Sequence, residues 1–244
     1  MAGHTTPNDS AEEDRTVHKI GYRIRDLKTT LKELESMVKS ADMKGRPFLI
    51  DGNNLPKKTD RIGIDDGNSF DMRPREAWVN WLMCAVLNEI HGDVFTFQEI
   101  KGGDGIIMNK QTKKGYLFEH VIAMNPPNTN TLLTTDELII DAINKKVKKD
   151  TEHPGYAKNK NLAVFVFSNG SGEWHPRKVD QNFHGKHPFG SIYCVSLVST
   201  KSDGAQNYSV TCLGNNHPVS YLVEINSDFT DWKVSLIQWT GLKN

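Results

Sequence analysis

The first regular hydrophobic pattern in the chain is a seam of aliphatic residues spaced alternately three and four positions apart. This spacing is the heptad repeat of a coiled coil, sustained over three repeats. It predicts a helix over residues 15–44, preceded by a disordered lead over residues 1–14. The helix is expected either to form a homodimer through residues 17–38 or to lie as an amphipathic helix on its own domain. The seam consists of Val17, Ile20, Ile24, Leu27, Leu31, Leu34 and Val38.

A second apolar segment, DMRPREAWVNWLMCAVLNEIHG, predicts a helix with clear start and stop signals. Asp71 is a plausible cap, Pro74 suits the first turn, and Gly92 is expected to end the helix. The alternating residues Val94–Ile100 follow and predict a strand that leads into the next element.

The next pattern predicts a β-hairpin. Two apolar runs, 106–108 and 116–122, flank a short polar loop that contains a glycine. If the loop is centred between residues 111 and 112, Asp104 lies directly opposite Glu119. Directly opposed residues have Cβ atoms about 4.5–5.5 Å apart, so one carboxyl pKa rises or a cation lies between them. We therefore predict a Mg²⁺ site at this pair, with Mn²⁺ as a possible occupant.

The remainder of the chain predicts one more helix and several strands. Thr134 or Thr135 is expected to cap a helix that carries a basic run at its end. A continuous apolar run, Leu162–Phe167, suits a buried strand. A loop to Gly190 and four more β segments follow. The order of elements predicts a mixed α/β domain over residues 45–244, with a central sheet flanked by helices and a β-rich C-terminal part. The four β segments are 191–198, 208–213, 220–225 and 232–239.

Composition limits the classes of function. The formal net charge of the 244 residues is +0, so any nucleic-acid binding requires a local basic patch. The N-terminus lacks the apolar core of a signal peptide, and no apolar run approaches the roughly 20 residues of a membrane span. Cys84, Cys194 and Cys212 are odd in number and lie in apolar surroundings. These features predict a cytoplasmic protein with reduced thiols and no membrane partner.

Two pairs of acids compete as the metal site. Asp93 and Glu99 lie on one predicted strand, six residues apart, which is roughly 20 Å at about 3.3 Å per residue. Both cannot contact one ion whose oxygen ligands lie about 2.1 Å away. The hairpin pair, Asp104 and Glu119, is therefore the candidate that remains.

The segment from about residue 73 to 168 resembles the PD-(D/E)XK nuclease superfamily, which has the restriction-endonuclease-like fold. A helix with an early acid (Glu76) is followed by the strand DGII with Asp104 and by EHV with Glu119. A lysine-bearing helix and a buried strand come next, in the order of the family. The resemblance implies that Asp104 and Glu119 are metal ligands, with Glu76 as a supporting acid. It also implies metal-dependent hydrolysis of phosphodiester bonds in DNA.

The chain departs from the family at one catalytic position. The family's lysine, two residues after the second acid, is Val121 here. In this superfamily the lysine sometimes moves to a neighbouring element, and the resemblance then implies Lys145, Lys146 or Lys101 as its substitute.

Two functions remain open after this departure. The first is a Mg²⁺-dependent DNA endonuclease. The second is a catalytically inactive protein of the same fold that binds nucleic acid or serves in assembly. The residues expected to contact DNA phosphates are Arg73, Arg75, Lys146 and Lys149, although a lysine run is more often a solvated helix face. Asp104, which lies between two glycines, also fits an ordinary turn.

Overall fold

The computed structural model describes residues 25–39, 74–98, 104–125, 132–167, 172–183, 185–214 and 217–237. Within these ranges the chain forms helices on both faces of one mixed β-sheet. The predicted lead over residues 1–14 lies outside the described residues. The helices are α1 (Leu27–Lys39), α2 (Pro74–His91), α3 (Thr135–Glu152) and α4 (Pro176–Phe183).

Eight strands form the sheet, and their spatial order follows their order in the chain. The first three strands are antiparallel, β4 and β5 run parallel to β3, and the last four form an antiparallel meander. The two parallel connections contain α3 and α4, as parallel pairing requires a long crossover. The strands are β1 (Phe95–Gln98), β2 (Ile106–Asn109), β3 (Gly115–Ala123), β4 (Lys160–Val166), β5 (Ile192–Thr200), β6 (Gln206–Leu213), β7 (Val219–Ile225) and β8 (Trp232–Ile237).

Helix α2 is buried along most of its length, between α1 and one face of the sheet. Trp78 and Trp81 are fully buried and stack on each other, with ring centroids 5.3 Å apart. Gly92 follows the helix with a φ of 82°, a conformation that glycine adopts at little cost. The predicted end of the helix at this glycine is therefore confirmed.

The heptad seam is used within the chain, as far as it is described. Leu27, Leu31, Leu34 and Val38 are each no more than 7% exposed and pack into the core shared with α2. The indole N–H of Trp81 also donates a 2.8 Å hydrogen bond to the carbonyl of Leu27. This arrangement is the amphipathic helix on its own domain, and it gives no support to a dimer through residues 17–38. The first three seam positions lie outside the described residues.

Helices α3 and α4 cover the other face of the sheet. Thr134 caps α3 as predicted, because its hydroxyl accepts from the Glu137 backbone while the Glu137 carboxylate accepts from the Thr134 N–H. The buried Asp136 carboxylate accepts from the His175 backbone N–H at 2.6 Å. It also lies 3.0 Å from the Lys178 ammonium and 3.1 Å from the His175 ring. Asp136 therefore holds the start of α4 against α3.

The strand predictions are confirmed to within a few residues, but the loop predicted up to Gly190 is wrong in part. It contains α4, whose buried Val179 and Phe183 lie four residues apart on one helix face. The segment is rich in His, Pro and Gly, and its short apolar pattern does not predict a helix. The contact with Asp136 supplies the stabilisation that the local sequence lacks.

The three cysteines form no disulfide, and Cys84 and Cys194 are buried. Burial raises the pKa of both thiols. Across the described ranges, no helix is long and apolar enough to cross a lipid bilayer.

Candidate functional site

The hairpin between β2 and β3 has the register that the sequence predicts. Ile106 lies opposite Leu117, so the pairing is centred between Gln111 and Thr112. The turn itself is closed by two hydrogen bonds between the backbones of residues 109 and 113–114. This register brings the segment that carries Asp104 alongside the segment that carries Glu119.

Asp104 contacts β3 through its side chain and not, as predicted, as a paired strand residue. Strand β2 begins only at Ile106, because Gly105 turns the chain with a φ of 126°. The Asp104 Oδ2 atom accepts a 2.8 Å hydrogen bond from the backbone N–H of His120. The Asp104 carboxylate thus accepts the hydrogen bond that a backbone carbonyl would accept if β2 were longer. The donor, His120, follows Glu119 directly in the chain.

A closed ring of hydrogen bonds fixes Asp104. The Asn80 side-chain nitrogen donates to the Asp104 carbonyl at 3.0 Å, so the Asn80 side-chain oxygen remains as an acceptor. That oxygen lies 3.2 Å from His120 Nε2, which therefore carries the proton. The third bond of the ring is the one from the His120 backbone to Asp104.

His120 is buried and neutral. Burial, supported by the positive charge of Arg75, lowers its pKa to about 3. A neutral imidazole donates from Nε2 to Asn80 and adds no positive charge beside Arg75. It therefore serves to hold Asn80 and Asp104, and it is not available to exchange protons near neutral pH.

Glu119 projects from the opposite face of β3 to His120. Successive strand residues alternate, so Phe118 packs in the core with α2, while Val121 and Ala123 pack toward α3. The Glu119 carboxylate meets two lysines there. Lys146 of α3 lies 2.7 Å from Oε1, and Lys160 of β4 lies 3.5 Å from Oε2.

The Glu119 carboxylate is ionised by its surroundings. Burial alone would raise its pKa, but hydrogen bonds from Lys146 and Tyr156 and the charges of Lys146 and Lys160 outweigh that effect. The net result is a pKa below the ordinary value for glutamate. Burial and the adjacent Glu119 charge raise the pKa of the Tyr156 phenol, which therefore stays protonated.

Positive charge exceeds negative charge around Glu119. The Tyr156 ring has the ammonium of Lys149 at 4.1 Å and that of Lys160 at 4.3 Å from its centroid. The Tyr156 hydroxyl accepts from Lys146 at 3.2 Å. Two lysines thus contact the Glu119 carboxylate, and a third contacts the Tyr156 ring beside it, an arrangement that attracts an additional anion such as a phosphate.

The remaining predicted site residues have different surroundings. Glu76 is buried on α2, 3.6 Å from Arg75 and one turn before Asn80. Lys145 is 65% exposed and pairs with Asp141, so it points away from Glu119. Arg73 and Lys101 lie outside the described residues, as does Glu99 of the competing acid pair.

A metal ion in this region would have few protein ligands. Among the described residues, no group of three or more His, Cys, Asp and Glu side chains is arranged to hold a metal ion. Mg²⁺ is commonly bound through one or two carboxylates, with water and substrate phosphate completing its shell. Asp104 and Glu119 are the residues that would hold such an ion.

Four residues of this region were not predicted from the sequence: Asn80, His120, Tyr156 and Lys160. The first two act through side chains that meet only after α2 packs on the hairpin. Lys160 reaches Glu119 because β4 runs parallel to β3, with Lys160 opposite Leu117. The order of strands in the sheet is a tertiary property, and the cluster of lysines at 158–160 was the sole local signal.

Comparisons with protein-family models, with curated proteins and with solved structures gave no match to this chain.

Proposed function

We propose that the protein is a metal-dependent phosphodiesterase that cleaves DNA, with a PD-(D/E)XK-like site. The observation that carries the proposal is the position of Lys146, whose ammonium lies 2.7 Å from the Glu119 carboxylate. This ion pair supports the assignment of Lys146, from α3, as the amine that replaces the family's lysine, which is Val121 in this chain. The order of helix, hairpin, helix and parallel strand further supports this proposal.

Each group has a role in this reaction. Asp104 and Glu119 would hold Mg²⁺, which lowers the pKa of a bound water and neutralises phosphate charge. Attack of a water oxygen on phosphorus would break the bond to the leaving sugar oxygen, and the proton lost by the water would pass, through solvent, to that oxygen. Lys146 stabilises the negative charge that grows on the phosphate oxygens in the transition state. Asn80 and His120 act as positioning residues for Asp104.

The direct test is a nuclease assay with Mg²⁺ or Mn²⁺ on single-stranded, duplex and supercoiled DNA. We expect cleavage by the wild-type protein and its loss in Asp104→Asn and Glu119→Gln. The matched control is Asp141→Asn, which removes an exposed acid of α3 that pairs with Lys145. Cleavage that persists without both Asp104 and Glu119 would refute the proposal.

A pair of adjacent lysines tests the assignment of the catalytic amine. Lys146→Met is expected to lower the cleavage rate at least about 100-fold, as removal of a charge-stabilising donor commonly does. Lys145→Met should leave the rate within about twofold, because Lys145 contacts Asp141 and not Glu119. The reverse result would assign the amine to Lys145.

A second candidate function is a catalytically inactive module of the same fold that binds nucleic acid. It is favoured by the fact that both oxygens of Glu119 already have a lysine partner. In that case DNA binding should survive the double change of Asp104 and Glu119, and no metal should produce cleavage. Isothermal titration with Mg²⁺ separates the two functions, since binding that requires Asp104 and Glu119 is expected for the enzyme alone.

A further inference from the structure

A cleft of about 320 Å³ opens beside the hairpin turn, outside the site described above. Its floor includes the apolar side chains of Ile106, Met108 and Leu117. Lys113 of the hairpin turn also lines the cleft, as do Lys158 and Lys160 at the start of β4.

The cleft continues from Glu119 along the same face of the sheet. Leu117 and Glu119 are two residues apart on β3, so their side chains point to one face about 7 Å apart. Lys160 belongs to both regions, because it lines the cleft and lies 3.5 Å from the Glu119 carboxylate. A polymeric ligand with one monomer unit in the cleft therefore places its neighbouring unit at Glu119.

The charge of the cleft is entirely positive. Three lysines line it, and no acidic residue does. Lys160 is paired with Glu119, but Lys113 and Lys158 have no ion-pair partner among the residues that the structure describes. Two exposed ammonium groups of the lining thus have their charge available for an anionic ligand.

The lining fits one chemical class of ligand. An apolar floor accommodates a flat ring, the lysines accommodate phosphates, and the amides of Asn159 and Asn161 offer both donors and acceptors. The volume lies at the lower end of the range for small-ligand sites. A bare phosphate would make no contact with the apolar floor. An acidic peptide would bring charge to the lysines but would not place a flat ring on the floor.

We propose that this cleft binds one nucleotide of a single-stranded nucleic acid, with the next phosphate of that strand at Glu119 and Lys146. The second part of this inference rests on the proposed function. A single strand is required because the bases of a duplex are stacked and paired, and so cannot lie on the floor of the cleft.

The test is fluorescence anisotropy with a labelled short single-stranded oligodeoxynucleotide in EDTA, so that no metal-dependent cleavage occurs. The variant is Lys113→Gln with Lys158→Gln. The matched control is Lys201→Gln with Lys233→Gln, which makes the same change in net charge in the β5–β8 half of the sheet. A duplex of the same sequence is the second probe.

We expect the cleft variant to bind the single strand about tenfold more weakly than the wild type, and the control variant to change affinity less than twofold. The slope of log affinity against log salt concentration should become shallower by about 1.4, since each lost phosphate contact on a single strand contributes about 0.7. Equal effects of the two double variants, or tighter binding of the duplex, would overturn the inference.

This binding measurement, made beside the nuclease assay, separates the inference from the proposed function. If Glu119→Gln abolishes cleavage and the cleft variant weakens single-strand binding, both stand. If no metal supports cleavage but the cleft variant still loses single-strand binding, the cleft remains a nucleic-acid site and the enzyme proposal fails alone.

Discussion

Asp136 and Glu119 are two carboxylates that contact cations on the same side of the sheet, but their partners differ in kind. The Asp136 side chain is 3% exposed and accepts from the backbone of His175 as well as from side chains. The Glu119 side chain is 16% exposed, and its ion-pair partners among the described residues are two long lysine side chains. One carboxylate joins two helices, while the other is bound by groups that can turn toward another anion.

The difference separates an acid whose partners are fixed by the fold from an acid whose partners can turn to another anion. A backbone N–H cannot leave without unfolding the start of its helix, so the environment of Asp136 is fixed. A lysine can rotate its ammonium to a phosphate while its aliphatic stem stays packed. Burial and charge alone therefore do not distinguish the two sites; the identity of the donors does.

The largest expected effect is on the reaction itself. Glu119→Gln should lower the rate of DNA cleavage at least about 100-fold while changing the free energy of unfolding by less than about 1 kcal/mol. The glutamine keeps an acceptor for Lys146 and removes the charge. Chemical denaturation beside the nuclease assay checks both quantities, and a large loss of stability would place Glu119 in the structural class.

Asp136→Asn is the reciprocal change. Loss of the charge that the His175 backbone and Lys178 contact should lower the free energy of unfolding by about 2 kcal/mol. Cleavage at a temperature where the variant stays folded should not change. Urea denaturation measures the first, and a cleavage rate reduced more than about threefold would show that Asp136 also acts in the reaction.

Acidification should weaken the ring that holds Asp104. His120 has a folded-state pKa of about 3, below its ordinary value of 6.5, so the unfolded chain binds more protons between these two pH values. Stability from this residue is fully present above about pH 6.5 and falls as pH decreases, by up to about 1.4 kcal/mol per pH unit.

The comparison that isolates His120 is the wild type against His120→Gln between pH 6.5 and pH 5. This window lies above the range in which Glu119 contributes, because the Glu119 pKa is lowered from 4.5. As pH decreases over this window, the free energy of unfolding of the wild type should fall relative to that of His120→Gln. Parallel curves would show that His120 binds protons equally in the folded and unfolded protein, which would contradict a lowered pKa.

The smallest expected effect concerns the hairpin turn. Lys113 has a φ of 59°, a left-handed conformation that favours glycine. Lys113→Gly should leave stability equal or raise it by up to about 1 kcal/mol, yet weaken single-strand binding a few fold. Thermal unfolding with oligonucleotide anisotropy measures both. Unchanged binding would remove Lys113 from the cleft's function.

The sequence predicts every helix and strand of the described residues except α4, together with the hairpin register, because turn residues, capping residues and alternating apolar positions are local signals. Thr134 with Glu137 and the glycine at position 92 are examples. The part of the heptad seam that lies on α1 shows the limit of such signals. The same spacing serves a coiled coil and a buried helix, and only the presence of α2 decides between them.

The site was predicted less completely for a related reason. Asp104, Glu119 and Lys146 were named from their positions, but the choice among Lys145, Lys146 and Lys101 depends on the rotation of α3. A rotation of about 100° between adjacent helix residues places Lys146 at Glu119 and Lys145 at Asp141. Lys160 depends on which strand lies next to β3, which no local pattern specifies.

The sheet changes from crossover connections to a simple meander at β5, and this has a consequence for how the chain acquires its structure. Strands β5 to β8 pair with sequence neighbours through short turns, whereas β3 and β4 meet only after the whole of α3 has been looped between them. Loop closure over long segments slows the formation of contacts. We expect pulse-labelled amides of β6 and β7 to become protected before those of β3, so that the Glu119 region is completed last.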